Sequence, residues 1–157
     1  MKRFNYQNGA LDLADARILK ILSENARTST AELARRIGLS SPSAAERVRR
    51  LEEAGVIRGY RADIDPQALG YTASAWLNIR PVPGELQRVA ALLQEIPEIT
   101  QCERVTGEDC FLAKVHVPHV RDLEAVIDQI IPYAMTRTSV IQSVKVEHRL
   151  PPIIQDA

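Results

Sequence analysis

At 157 residues, 45% hydrophobic and 25% charged, with 20 Lys and Arg against 20 Asp and Glu, the chain has the make-up of a globular protein and, outside its ends, not of a disordered one. No stretch approaches the roughly 18 to 20 apolar residues that span a bilayer, and residues 1–10 (MKRFNYQNGA) have cations but no apolar run behind them, so neither a membrane span nor a signal peptide is expected and the cytoplasm is the expected compartment. The two cysteines, Cys102 and Cys110, fit no CxxC or zinc pattern and are fewer than a disulfide-stapled secreted domain carries, so both read as reduced thiols.

The apolar pattern changes near residue 70 from helical spacing to strand alternation, which divides the chain in two. Up to Gly70, twelve Lys and Arg stand against nine Asp and Glu, a net of +3 that the remainder balances at −3. A basic front and an acidic back lie behind the neutral total. The expected organisation is a flexible arm over 1–10, a helical domain over 11–60, a linker over 61–70, a second domain over 71–147 and a tail over 148–157.

Three helices are expected in the front half. Asp12 suits the N-cap of the first, where Ile18, Ile21 and Leu22 recur at helical spacing and Asp15 sits in the first turn, favoured by the helix dipole. The second opens on STAE, Ser29 to Glu32, which reads as a capping box; Leu33, Ala34 and Ile37 give it a buried side and Gly38 closes it. Ser40 or Ser41 caps the third, Pro42 fits its first turn, and Ala44, Val48 and Leu51 make its inward stripe.

With that stripe inward, Pro42, Ala45, Glu46, Arg49 and Arg50 point outward, and Ser43 and Arg47 take the flanks. Arginines on such a face often only solvate it, paired with Glu46, Glu52 and Glu53 at spacings of three or four. Joined to three helices and a short glycine turn, the pattern is instead that of a helix-turn-helix, whose second helix enters the DNA major groove. Small side chains let the backbone approach base edges, serine hydroxyls donate or accept there, and arginine binds guanine or phosphate through two N–H groups. The candidate DNA-contacting residues are Ser41, Ser43, Ala45, Glu46, Arg47, Arg49 and Arg50. After Gly55, VIRGYRADID suggests an extended segment or a small wing, with Arg58 and Arg61 in reach of the DNA backbone, and DPQALG reads as a turn and linker.

The back half starts with a strand, YTASAWLNIR, in which Tyr71, Ala73, Ala75, Leu77 and Ile79 share one side, and Thr72, Ser74, Trp76, Asn78 and Arg80 the other. A helix over 85–96 follows, then strands over 99–106 and 110–117, a helix over 122–131 and a last strand over 138–146. The order βαββαβ is a ferredoxin-like split βαβ arrangement with one open sheet face. Trp76, Leu112 and Ile141 are expected on that face, covered by the sheet of a second copy.

On these residues the chain resembles the Lrp/AsnC family, the feast/famine regulators of bacteria and archaea. Residues 11–70 match the family's headpiece pattern, and VTGEDCFLAKV and MTRTSVIQS look like the two signature stretches of its amino-acid-sensing domain. The fold class implied is α+β, a winged helix-turn-helix headpiece plus a ferredoxin-like effector and oligomerisation domain. The resemblance further implies double-stranded DNA as partner, homodimers that frequently assemble into octamers, and a small effector, usually an amino acid, held between dimers near the loop from Gly107 to Cys110. Its site residues here are Gly107, Glu108, Asp109, Cys110, Thr136 and Thr138. Where the family often has an acidic residue this sequence has Cys110, and a neutral thiol does not take an ammonium as a carboxylate does. Glu108 or Asp109 then receives the effector's ammonium, or the effector is not an ordinary α-amino acid, or there is none.

Two other readings follow from the same stretch. The fold is similar to that of small decarboxylases acting on tetrapyrroles, and Cys110, His116 and His119 lie close in sequence, yet His116 falls within an alternating strand and no orienting acid accompanies it. A redox-sensing Cys102 or Cys110 is disfavoured by the neighbouring acids at Glu108 and Asp109, which raise a thiol pKa. A sequence-specific, effector-responsive transcriptional regulator is therefore expected, with no catalytic residue, no cofactor and no metal.

Overall fold

The computed structural model describes residues 11–153, so the arm expected over 1–10 and the last four residues of the expected tail lie outside it. The chain divides into two compact units, one of residues up to Ala62 together with those from Val146, the other Asp63–Lys145. Among the described residues, then, the segment 146–153 groups with the helices. Arg149 to Ile153 line one cavity of about 470 Å³ together with Leu13, Arg17 and Lys20.

The helical unit holds α1 (Leu13–Glu24), α2 (Thr30–Ile37) and α3 (Ser41–Glu53). Asp12 caps α1 reciprocally with Asp15: the Asp15 N–H donates to Asp12 Oδ1 at 2.8 Å and the Asp12 N–H to Asp15 Oδ2 at 3.4 Å. Ser29 caps α2 through the Glu32 N–H at 3.2 Å, but the Glu32 carboxylate does not close the expected box, because Arg35 one turn on takes both of its oxygens at 2.7 and 2.9 Å. A charge-assisted fork outcompetes a single bond to a backbone amide. Gly38 closes α2 at φ +74°, and Ser40 caps α3. Ile18, Ile21, Leu33, Ala34, Ile37, Ala44 and Leu51 form the core, with Val48 half-buried beside them.

Beyond α3 the N–H groups of Val56 and Ile57 both donate to Leu51 O, after which residues 58–64 run exposed. The wing is this extended segment and has no β-ladder of its own among the described residues. Asp65 then caps a short 3-10 turn, Pro66–Leu69, that ends at Gly70.

The second unit is β1 (Ala73–Pro81), α4 (Leu86–Glu95), β2 (Ile99–Arg104), β3 (Phe111–Val117), α5 (Leu123–Ile130) and β4 (Ala134–Val140). Its antiparallel sheet runs β2-β3-β1-β4, the split βαβ order. Ala73, Ala75, Leu77 and Ile79 of β1 and Phe111, Ala113, Val115 and Val117 of β3 pack with Val89 and Leu93 of α4 and Leu123, Val126 and Ile130 of α5 in one core. Among the described residues no helix of this unit packs on the opposite face.

The last strand departs from expectation, lying at Ala134–Val140 and not over 138–146. Its register is set from β1, Pro81 facing Ala134 and Ala75 facing Val140, and Val82 N–H to Tyr133 O (2.9 Å) brings the chain onto the sheet directly after α5. Val140, Val144 and Val146, which fall within the strand expected over 138–146, are exposed. The hairpin between β2 and β3 is also wider than expected, closed by Val105 N–H to Cys110 O at 3.0 Å.

Candidate DNA interface and effector site

Three residues, Gly38, Leu39 and Ser40, separate α2 from α3, and the left-handed glycine turns the chain sharply enough for α3 to leave α2 with its outer face bare. Ser41, Ser43, Ala45, Glu46, Arg49 and Arg50 are all exposed along it. Ser40 and Ser43 bond each other through their hydroxyls at 2.8 Å, which leaves a small, polar helix start with Pro42 between them. Arg49 forks onto Glu46 at 2.6 and 2.9 Å and also reaches Glu53. Those carboxylates raise the Arg49 pKa still further, the Glu46 hydrogen bond contributing most, so it is a fixed cation.

Arg47 behaves differently. Its Nη1 lies 2.7 Å from Asp12 Oδ2 and 2.9 Å from Asp15 Oδ1, so the side chain turns towards the start of α1. Asp15 is 3% exposed, a buried carboxylate with a cation beside it. The Asp15 N–H holds the Asp12 carboxyl below its usual pKa, with Arg47 adding to the effect against a partial loss of solvation. The expected flank position of Arg47 gave no hint of this partner. A signal was nevertheless present, because Asp15 shares a helical stripe with Ile18 and Leu22, and a charge on an apolar stripe needs a counter-charge.

In the second unit, Gly107, Glu108, Asp109 and Cys110 form the β2–β3 hairpin. Arg80 holds Glu108 at 2.6 Å. Asp109 Oδ2 accepts from Asn78 Nδ2 at 2.9 Å and Arg137 at 3.2 Å, while its Oδ1 has Arg80 only at 3.8 Å. Asn78 and Arg137 are direct cross-strand neighbours, and both belong to the open face. Cys110 is half-buried against the core, and its N–H donates to Ile79 O at 3.0 Å. Thr136 and Thr138 face Ile79 and Leu77 in the register, hence the helix side of the sheet, so one chain does not bring them together with Asp109. Asn78, Arg80 and Arg137 are the site neighbours that the reading of the sequence did not single out. Only the alternation of β1, which put Asn78 and Arg80 beside Trp76, pointed towards two of them.

Trp76 and Leu112 lie half-buried on the open face, and Ile141, just beyond β4, is half-buried with its N–H on Ser74 O at 2.8 Å. His116 Nδ1 is bonded to Ser74 Oγ and His119 is exposed beyond β3; among the described residues no three potential ligands gather to hold a metal. Partial burial and then Glu103 raise the Cys102 thiol pKa, the opposite of what a redox sensor needs.

A second helix with a bare outer face and exposed arginines, behind a three-residue turn, is the design of the helix-turn-helix DNA-binding class. Comparison with known proteins agrees and goes further. Residues 11–58 match the winged helix-turn-helix DNA-binding family model and residues 74–151 the Lrp/AsnC ligand binding domain. The chain is 39% identical over 132 residues to the HTH-type transcriptional regulator LrpA of Mycobacterium tuberculosis, covering 83% of this chain and 88% of that protein. It superposes on the structure of Bacillus subtilis LrpC with a TM-score of 0.84 at 34% identity, over 88% of this chain and 99% of that one. A feast or famine regulatory protein from M. tuberculosis, solved in complex with L-methionine, gives a TM-score of 0.84 at 35% identity over 90% of this chain and 99% of that one. This chain belongs to the Lrp/AsnC family and is a DNA-binding transcriptional regulator.

Proposed function

We propose that the protein is a homodimeric regulator that reads a two-fold symmetric operator through α3 and responds to an amino acid bound at the β2–β3 hairpin. The observation that carries the reading is the exposed run of Ser41, Ser43, Ala45, Glu46, Arg49 and Arg50 on one helix face. Arg49 and Arg50 supply charge for phosphate or guanine, and the serines and Ala45 allow close approach of the backbone. Glu46, which holds Arg49 in the DNA-free protein, releases it for the duplex or accepts from a cytosine amine. The exposed wing cations Arg58 and Arg61 add backbone contacts.

Asp109 is the proposed partner of the effector's ammonium. Its carboxylate is oriented by Asn78 and Arg137, yet Oδ1 retains open lone pairs, and the group is far less exposed than Glu108, whose side chain is 88% accessible. A thiol at position 110 then leaves the site its carboxylate one residue earlier. Support for an amino acid comes from the solved relative bound to L-methionine. Thr136 and Thr138 lie on the exposed edge strand β4, and we assign them to the site from an adjacent copy. A second copy covers the open sheet face, where Trp76, Leu112 and Met135 are accessible among polar neighbours.

Enrichment of a duplex from a random pool by the purified protein, followed by footprinting, tests the operator reading. Two protected half-sites about one or more helical turns apart are expected. Light scattering of the same material gives the assembly state, and a single protomer that enriches no sequence overturns the proposal. A thermal-shift screen of the twenty amino acids, with hits repeated in the presence of operator, tests the effector.

A further inference from the structure

We propose that Arg47 is a positioning residue that sets the angle of α3 against α1 and makes no contact with DNA itself. The inference rests on the helix-turn-helix function and on the double ion pair of Arg47 with Asp12 and Asp15. Apolar contacts between helices, such as those of the core that Ile18, Ala44 and Leu51 share, resist separation but are not directional, so they tolerate rotation and sliding of one helix on the other. Charge-assisted hydrogen bonds are directional and fix a geometry. The Arg47 guanidinium supplies two, at 2.7 Å to the N-cap of α1 and at 2.9 Å to its first turn.

Its partners are themselves held rigidly. Asp12 and Asp15 cap each other through side chain and backbone, so the two carboxylates move with the α1 axis. Arg47 is the seventh residue of α3, one turn beyond Ser43 and next to Glu46, so the tie anchors the stretch proposed to meet base edges. Withdrawing Arg47 towards a phosphate would take its guanidinium from the buried Asp15 carboxylate, and removing a counter-charge from a buried ion is costly. Arg49 faces no such penalty, because Glu46 and Glu53 are exposed and return to water when it leaves.

Asp12→Asn separates the two roles by sign. It keeps a side-chain oxygen for the Asp15 N–H, so the cap survives, and it removes a negative charge from the headpiece. General electrostatics then predicts tighter binding to any duplex. Loss of the clamp predicts weaker binding to the enriched operator with affinity for random duplex no lower.

The experiment measures operator and random-duplex affinity of wild type, D12N, R47M and D12N/R47M across a salt series, well below each protein's melting temperature. The expected result is a loss of about tenfold in operator affinity for R47M, the size of one mismatched base pair, with a smaller loss for D12N, unchanged salt slopes, and a double variant no weaker than R47M. A salt slope reduced by about one in R47M, with equal losses on both duplexes, would make Arg47 a phosphate ligand and overturn the proposal. Unchanged operator affinity in folded R47M or D12N would also overturn it, reducing the clamp to stability alone. If R47M does not fold, the sign of the D12N effect decides. A wild-type protein that enriches no duplex refutes the operator reading, and the clamp with it, before any variant is compared.

Discussion

The Nδ1 atom of His116 lies 2.7 Å from the hydroxyl oxygen of Ser74, its direct neighbour across the β1–β3 pair. A neutral imidazole has one donor and one acceptor nitrogen, and a serine hydroxyl satisfies either tautomer. The pair therefore explains how a 9% exposed histidine is accommodated in the sheet. Burial first and the Lys114 ammonium second hold the His116 pKa below 6.5. The unfolded chain takes up its proton at about 6.5 and the folded one at lower pH, so the folded state is favoured fully above 6.5 and loses that advantage as pH falls from 6.5 through the depressed value. Melting temperatures at pH 7.5 and 5.0 are expected to differ in that direction, and H116Q to narrow the difference. Equal differences in the two proteins would show that His116 does not contribute.

Gly38 adopts φ +74° between α2 and α3, with no atom within 4 Å of where a Cβ would stand. Space is therefore not the constraint, and the whole effect of a substitution comes from backbone strain. Gly38→Ala is expected to cost about 1 kcal/mol in urea unfolding, and Gly38→Asn less, because asparagine visits the left-handed region more readily. If alanine cost nothing, the turn would have relaxed, and the spacing between the two helices with it.

Arg49 and Arg50 are exposed on α3, and the carboxylates that hold Arg49, those of Glu46 and Glu53, are exposed as well. Replacing either arginine with alanine is expected to leave the melting temperature nearly unchanged and to reduce the slope of log affinity against log salt by about 0.9 for each phosphate that the protein then fails to neutralise. An arginine that instead reads a guanine would relax specificity at one base position. An unchanged slope and unchanged specificity would remove that residue from the interface.

Local features of this fold are legible in the sequence and distant pairings are not. Asp12, Ser40, Gly38 and the alternation from Ala73 to Ile79 announce themselves because the atoms that satisfy them lie within a few residues. Arg47 meets Asp15 and Asp12 across 32 and 35 positions, and Asn78 and Arg137 meet Asp109 across 31 and 28. No periodicity encodes such pairs; the charge on the apolar stripe of α1 says only that Asp15 needs a partner, not which one. Two local signals also misled. Ser29 to Glu32 has the composition of a capping box but lies beside Arg35, and the strand expected over 138–146 contains Val140, Val144 and Val146, none of them buried. In both cases pattern alone stood in for a competition that only the three-dimensional neighbours decide.

The carboxylate at Asp109 is the group on which an amino-acid effector would turn. Arg80, Asn78 and Arg137 surround it, so the local field is positive, and the carboxylate is what makes a cationic ammonium acceptable there. Asp109→Asn keeps the side-chain size and an oxygen for Asn78 or Arg137 but removes the charge. It is expected to abolish the stabilisation produced by an amino acid that raises the wild-type melting temperature, a rise of about 2.7 kcal/mol in stability at a hundredfold excess over the dissociation constant. Glu108→Gln, changing a group that is mostly in solvent, is expected to retain most of that rise. The reverse outcome, with E108Q silent and D109N still responding, would move ammonium recognition to Glu108. A response kept by both variants would mean that the effector's positive charge is met by another group or that the ligand carries none.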